Sequence, residues 1–185
     1  MSQNLPSSFG VTKSTAKDTI NAEYNDIKSV NKIVKKFKNK IAAIIIEPIA
    51  GNMGLVRANK DFLMEIRKIC DTNKILLIFD EVMSGFRVSR GGAQEIYNVK
   101  PDIICCGKGI SSSLPLAAVL GRADVMDLPE IGSMSSTHSA NPLSCAAGLA
   151  NLEEIERLGL VEKSMKKGAI LHKRLSDMQK RFKAF

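Results

Sequence analysis

Two short stretches end in side chains that could do covalent chemistry. In ILLIFDEV (75–82) an apolar run closes on Asp80 and Glu81, and in DIICCGKG (102–109) another closes on Lys108, set between two glycines. An acid that follows five apolar residues is costly to bury unless a partner meets it, and a lysine in apolar surroundings has its ammonium form disfavoured. A neutral lysine amine is a nucleophile toward a carbonyl carbon. The chemistry that most needs such a pair is Schiff-base catalysis with pyridoxal phosphate. There the lysine holds the aldehyde, and a carboxylate keeps the pyridine nitrogen protonated so that the ring accepts electrons. On spacing alone, a solvated lysine and a strand-end acid that caps a helix explain the two strings at least as well.

The elements that carry these side chains alternate between two periodicities. Val30, Ile33, Val34 and Phe37 recur at helical spacing, and IAAIII (41–46) then reads as a strand buried on both faces. A second cycle follows. DFLMEIRKICDTN (61–73) places Phe62, Ile66 and Ile69 on one helical face with Asp61 as the cap, and ILLIFD is the next strand. DIICC and LAAVLG (116–121) are two further short strands bounded by Gly, Pro or Ser. From Asn141 the pattern turns helical, with Pro142 in a first turn, Gly159 near a stop, and a second amphipathic helix from about residue 162 to 182. Residues 1–25 show no sustained periodicity and read as an irregular lead-in. The fold class is α/β, a mostly parallel sheet flanked by helices. Ligands of such sheets gather at the carboxyl ends of the strands, the edge where Asp80 and Lys108 both fall.

Composition narrows the function classes. A chain of 185 residues holds one sizeable domain, since domains usually run to about 100–200 residues. No apolar run approaches the roughly 20 residues a membrane-spanning helix needs. The start, MSQNLPSSFG, has neither the basic opening nor the apolar centre of a signal peptide, so the cytoplasm is expected. Cys70, Cys105, Cys106 and Cys145 have no metal-ligand spacing and read as buried free thiols. The net charge of +8 is spread over helical faces as solvated lysines, and two tyrosines with no tryptophan leave little for base stacking. A nucleic-acid module is therefore disfavoured.

Four longer strings carry a resemblance. IIIEPIAGNMG, LLIFDEVMSGFRVSRGGAQEIYNVKPDII, GKGISSSLPLAAVLGRADVMD and STHSANPLSCAAGLA, in this order, are similar to the class III aminotransferases of the fold type I pyridoxal phosphate enzymes, from about Ser7 to the end of the chain. The resemblance implies that Lys108 forms the Schiff base with pyridoxal 5'-phosphate and moves protons, the cofactor passing to pyridoxamine 5'-phosphate as the amino group is transferred. It matches Asp80 to the carboxylate on the pyridine nitrogen. Val82, two residues on in an extended chain, matches the residue packed against the ring. Thr137 matches the threonine that reaches the cofactor phosphate of a neighbouring subunit, which implies a homodimer with shared sites. Glu47 and Asn52 match positions on the substrate side of the cofactor, and the substrate class is a small amine or amino acid. Plainer roles stand beside these: Val82 as core, Thr137 as cap of the helix that Pro142 begins, Glu47 as an ion-pair partner, His138 as structural.

Within the family the strings pull two ways. YND (24–26), EPIAGNMG, DEVMSGFR and GGAQEIY look most like the glutamate-1-semialdehyde 2,1-aminomutase branch. The ornithine, acetylornithine and 4-aminobutyrate branches commonly have Glu in place of Asn52 and Gln in place of Met83. A glutamate there can neutralise a substrate-binding arginine between two substrates, which Asn52 cannot. GKGISSS and the compact DLPEIGSMSSTHSANPL instead resemble other transaminases of the class, so one acting on an amino sugar or another amine stays open. The family is considerably longer, which implies that this is a partial chain: residues 26–158 as part of the cofactor-binding large domain, and 159–185 as a helix leading toward an absent small domain. A catalytically silent piece of the fold is a further alternative.

Overall fold

The computed structural model describes residues 8–182. Ser7, where the resemblance begins, the residues before it and residues 183–185 lie outside the described residues. The lead-in is not wholly irregular, because the Thr12 hydroxyl accepts the Thr15 N–H and starts a short helix, α1 (Lys13–Lys17). The next helix, α2 (Ile27–Lys36), begins at Asp26, whose carboxylate accepts the N–H groups of Lys28 and Ser29 at 2.8 and 3.3 Å. After it come β1 (Ala43–Ile46), a small antiparallel pair β2 (Ile49–Ala50) and β3 (Val56–Arg57), and α3 (Lys60–Asn73). Asn59 stands at the start of α3 where Asp61 was expected. The Asn59 N–H is satisfied by Asn25 Oδ1 at 2.8 Å, while Asp61 lies inside the first turn, where its charge suits the helix dipole.

Then follow β4 (Leu76–Asp80), α4 (Ala93–Tyr97), β5 (Ile103–Cys106), β6 (Ala118–Gly121), α5 (Ala123–Met126), α6 (Pro142–Arg157) and α7 (Leu160–Arg181). Asn141 caps α6 through its side-chain oxygen, which accepts from Leu143 and Ser144, and Pro142 occupies the first helical position. Gly159 takes φ 58° between α6 and α7 and ends the one helix before the other.

One sheet runs in the order β1-β4-β5-β6, with β1, β4 and β5 parallel and β6 antiparallel to β5. Val30 and Val34 of α2 and Phe62, Leu63, Ile66, Ile69 and Cys70 of α3 pack with Leu77 and Phe79 of β4 into a single core. Each such large side chain contributes about 1.5–3 kcal/mol on burial. These helices dress only one face of the sheet. Along β4, Leu77 and Phe79 are buried while Leu76, Ile78 and Asp80 are half-buried, and Ile45 of the edge strand β1 stays 63% exposed. Burial of the first strand on both faces is thus not what the structure has. All four thiols are free, and Cys70 and Cys106 are buried as expected, whereas Cys105 is half-buried and Cys145 on α6 is exposed.

Candidate active site

Because β4 and β5 are parallel neighbours, the residues that follow them leave the sheet at one edge. Asp80 stands in register with Cys105, and the Glu81 N–H continues the ladder to the Cys105 carbonyl at 2.9 Å. Burial, then the Asp80 charge, push the Cys105 thiol above its ordinary range. After Glu81 the chain turns. Asp80 Oδ1 accepts the Val82 N–H at 3.0 Å, and the Gly85 N–H reaches the Glu81 carbonyl at 2.8 Å. Val82 therefore does not continue an extended strand as the alternation implied; the Asp80 side chain bends the backbone first. The bend nevertheless seats Val82 on the neighbouring strand end, since a Cβ placed on Gly107 would lie 3.4 Å from Val82 Cγ1. That contact is one residue from Lys108.

Lys108 opens a 3-10 turn (Lys108–Ile110) with φ 42°, a left-handed conformation rare for a side-chain-bearing residue. Such a backbone costs about 1–3 kcal/mol and persists only when its surroundings hold it. Here the Ile110 N–H reaches the Gly107 carbonyl at 3.1 Å and the Ser112 N–H reaches the Lys108 carbonyl at 3.3 Å. The side chain is exposed. The apolar surroundings read from DIICC do not extend to Lys108 in the described residues, because the strand ends at Cys106 and the turn lifts the lysine past the apolar run. Of the three serines that follow, Ser112 and Ser113 are exposed, while Ser111 is buried and donates to the Leu114 carbonyl.

The loop after β1 reaches the same edge. Tyr24 donates its phenol proton to the Glu47 carbonyl at 2.8 Å, and burial pushes that phenol up to about 12, with Tyr97 and Glu47 adding to it. The Glu47 carboxylate accepts the Gly51 N–H at 3.0 Å and so ties down its own loop; among the described residues it forms no ion pair. Gly51 lies against Met83, with Met83 Cε 3.0 Å from where a Cβ would be, and Asn52 is exposed in the 3-10 turn Gly51–Met53. Asp80, Val82, Lys108 and the Glu47–Asn52 loop thus share one edge. Thr137 lies in an exposed turn in which the Ser139 N–H meets the Ser136 carbonyl, and Asn141 rather than Thr137 caps α6.

Two acids have roles that spacing did not reveal. Glu81, read as a second acid at the ligand edge, turns inward and is 1% exposed. It accepts the Ala93 N–H at 2.7 and 2.9 Å and the Ser84 hydroxyl at 2.9 Å, so that it caps α4 and ties the two ends of the 82–92 segment together. Gly92 makes room for it at φ 72°: a Cβ there would sit 2.5 Å from Glu81 Oε1. The GG pair at 91–92 was the one local signal. Asp102 lies before β5, at the opposite edge, and accepts from the Leu77 N–H, Arg67 and Arg122 at 2.8–2.9 Å. Burial opposes its charge, but the Leu77 N–H and the two guanidinium groups outweigh this and hold the carboxyl below its ordinary value. It orders the start of β5, at the edge away from Asp80 and Lys108.

Comparison with known proteins places this arrangement. The family model described as aminotransferase class-III matches residues 2–185. The chain is 52% identical over 151 residues to a glutamate-1-semialdehyde 2,1-aminomutase of Chlorobaculum parvum, an alignment covering 80% of this chain and 35% of the relative. Among solved structures, an acetylornithine aminotransferase from Elizabethkingia anophelis superposes with a TM-score of 0.82 at 32% identity, over 89% of this chain and 44% of that one. A transaminase with PLP bound gives a TM-score of 0.75 at 28% identity, over 80% and 36%. The chain spans less than half the length of each of these proteins. A mostly parallel sheet with these residues at its carboxyl edge, and a family match along nearly all of the sequence, make this chain a member of the class III aminotransferases.

Proposed function

We propose that the chain is the central part of a pyridoxal phosphate-dependent enzyme that moves an amino group on a small amino acid, with Lys108 as the covalent anchor and Asp80 as the partner of the pyridine nitrogen. One observation carries the reading. The carboxylate and the amine stand at the carboxyl ends of neighbouring parallel strands, and Val82 bridges them by resting on Gly107. The donor set suits the group: Asp80 spends Oδ1 on Val82, and among the described residues Oδ2 has no hydrogen-bond partner. When bound, pyridoxal 5'-phosphate supplies an aldehyde for an amine and a protonated ring that draws electrons from a bond broken beside it.

This chain's own residues then have separate tasks. Lys108 Nζ presents the amine and carries a proton to and from the substrate carbon. Asp80 Oδ2 holds the proton of the ring nitrogen. Val82 gives the ring an apolar floor, and the Glu47–Asn52 loop lines the substrate side with a neutral amide. Thr137 is read as a phosphate ligand offered to a second copy in a homodimer. Leu128, Ile131 and Met134, 78%, 106% and 77% exposed on the same segment, favour that segment as an interface. Residues 26–158 are read as part of the cofactor-binding domain and 159–185 as a helix leading toward a small domain.

The substrate favoured is glutamate 1-semialdehyde, with the amino group moved within one molecule. The 52% identical relative carries that name, and Asn52 and Met83 replace the Glu and Gln common in two-substrate branches. The string GKGISSS supports the second reading, a transaminase for another amine. The test is the visible spectrum of the protein with pyridoxal phosphate. An absorption band present in the wild-type chain and lost in Lys108→Ala is expected; a band of equal size in the variant would overturn the assignment.

A further inference from the structure

The left-handed turn at Lys108 is held from outside as well as from within. Asn151, in the middle of α6, donates its side-chain amide to the Gly109 carbonyl at 2.8 Å and to the Ile110 carbonyl at 3.1 Å. Both carbonyls belong to a single 3-10 turn, whose end leaves acceptors without a partner inside the turn. Gly148 lies three residues earlier on the same face of α6. A Cβ there would come 2.5 Å from Leu116 Cδ2 and 3.7 Å from the Ile110 carbonyl oxygen, so the bare glycine lets the helix approach the turn. On the far side, Arg87 lies against Gly109, its Nε 3.1 Å from where a Cβ would be, and it is anchored by donation from Nη1 to the Met83 carbonyl at 3.0 Å.

We propose that Asn151 is a positioning residue for Lys108: by holding the Gly109 and Ile110 carbonyls it keeps the turn wound and the lysine in its left-handed conformation at the sheet edge. The inference rests on the reading of Lys108 as the cofactor lysine and adds the group that fixes its backbone. Asn151 acts through the backbone carbonyls of the turn. Its amide supplies two donors, which is what two carbonyl oxygens require. An aspartate of the same shape offers none while ionised, and turns its charge on both carbonyls.

The test compares wild type with Asn151→Asp and Asn151→Leu in the full chain. Two readouts are taken: amide exchange at residues 109–112, and the rate at which borohydride traps pyridoxal phosphate on Lys108, referred to the exposed Lys68 of α3. Both variants should lose protection at 109–112 and trap on Lys108 roughly tenfold more slowly, the factor one net hydrogen bond supports. The melting midpoint and Lys68 trapping should stay near wild type, which separates positioning from general loosening. For Asn151→Asp the Lys108 rate should recover toward wild type as the pH falls and the new carboxyl regains a donor. Unchanged protection at 109–112 in both variants overturns the inference, as does slowed Lys108 trapping matched by an equal fall at Lys68. A wild-type chain that traps nothing on Lys108, while Asn151→Leu loses protection, overturns the cofactor reading and leaves the brace standing.

Discussion

Replacing Glu81 by alanine should be among the most damaging single changes in this chain. The carboxylate is 1% exposed and gathers the Ala93 N–H at 2.7 Å and the Ser84 hydroxyl at 2.9 Å, with the Gln94 N–H at a weaker 3.4 Å. A hydrogen bond to a charged acceptor contributes about 1.5–3 kcal/mol, and a buried donor left without a partner adds its own desolvation cost. Two short bonds lost together amount to about 3–5 kcal/mol, a large share of the roughly 5–15 kcal/mol that holds a domain. Glu81→Gln keeps one acceptor for Ala93 and should cost about 1–2 kcal/mol. Urea unfolding of the three proteins, with amide exchange followed at Ala93 and Gln94, measures both effects. The released 82–92 segment carries Val82 and Arg87, so exchange at 108–112 should rise as well. A Glu81→Ala protein that loses less than about 1 kcal/mol and keeps Ala93 protected would refute the role given to this acid.

Three other outcomes follow from the same geometry. Gly92→Ala should destabilise the chain strongly, because the new methyl would sit 2.5 Å from Glu81 Oε1 on a backbone at φ 72°; a melting midpoint at the wild-type value would contradict this. Asp102 titrates below its ordinary value when folded, so its stabilisation is complete above about pH 4 and is lost as the pH falls through the lower folded value. Asp102→Asn should flatten the acid limb of stability against pH, and an unchanged limb would argue against the Arg67–Asp102–Arg122 cluster. The Cys70 thiol, pushed up to about 12 chiefly by burial, should react with a disulfide reagent only on unfolding, whereas the exposed Cys145 should react at once; equal rates would be contrary.

The placement of Asp80 and Lys108 at one sheet edge was legible because each follows an apolar run, and parallel strands deliver their ends to one edge. What followed them was not legible, because it depends on side chains bonding backbone. Alternation predicts an extended chain past Asp80, yet its carboxylate takes the Val82 N–H and bends the chain. Glu81 sits beside Asp80 in sequence, but its partners Ser84 and Ala93 come together only after the segment folds back. Between Gly107 and Gly109 nothing in the residue types shows that the lysine itself takes the positive φ. Asn151 is separated by 42 residues from the Gly109 carbonyl it holds, so no local pattern points to it. The exposure of Ile45 was likewise invisible, since IAAIII reads as uniformly apolar.

The central claim is that Lys108, among the many lysines of a basic chain, is the one built to hold an aldehyde cofactor. Peptide mapping after borohydride reduction of the protein with pyridoxal 5'-phosphate tests it most directly. The account predicts the reduced adduct concentrated on the peptide that contains Lys108, with exposed lysines such as Lys68 labelled only weakly and Asp80→Ala lowering the yield at Lys108. Label spread over the exposed lysines without enrichment at Lys108 would contradict it.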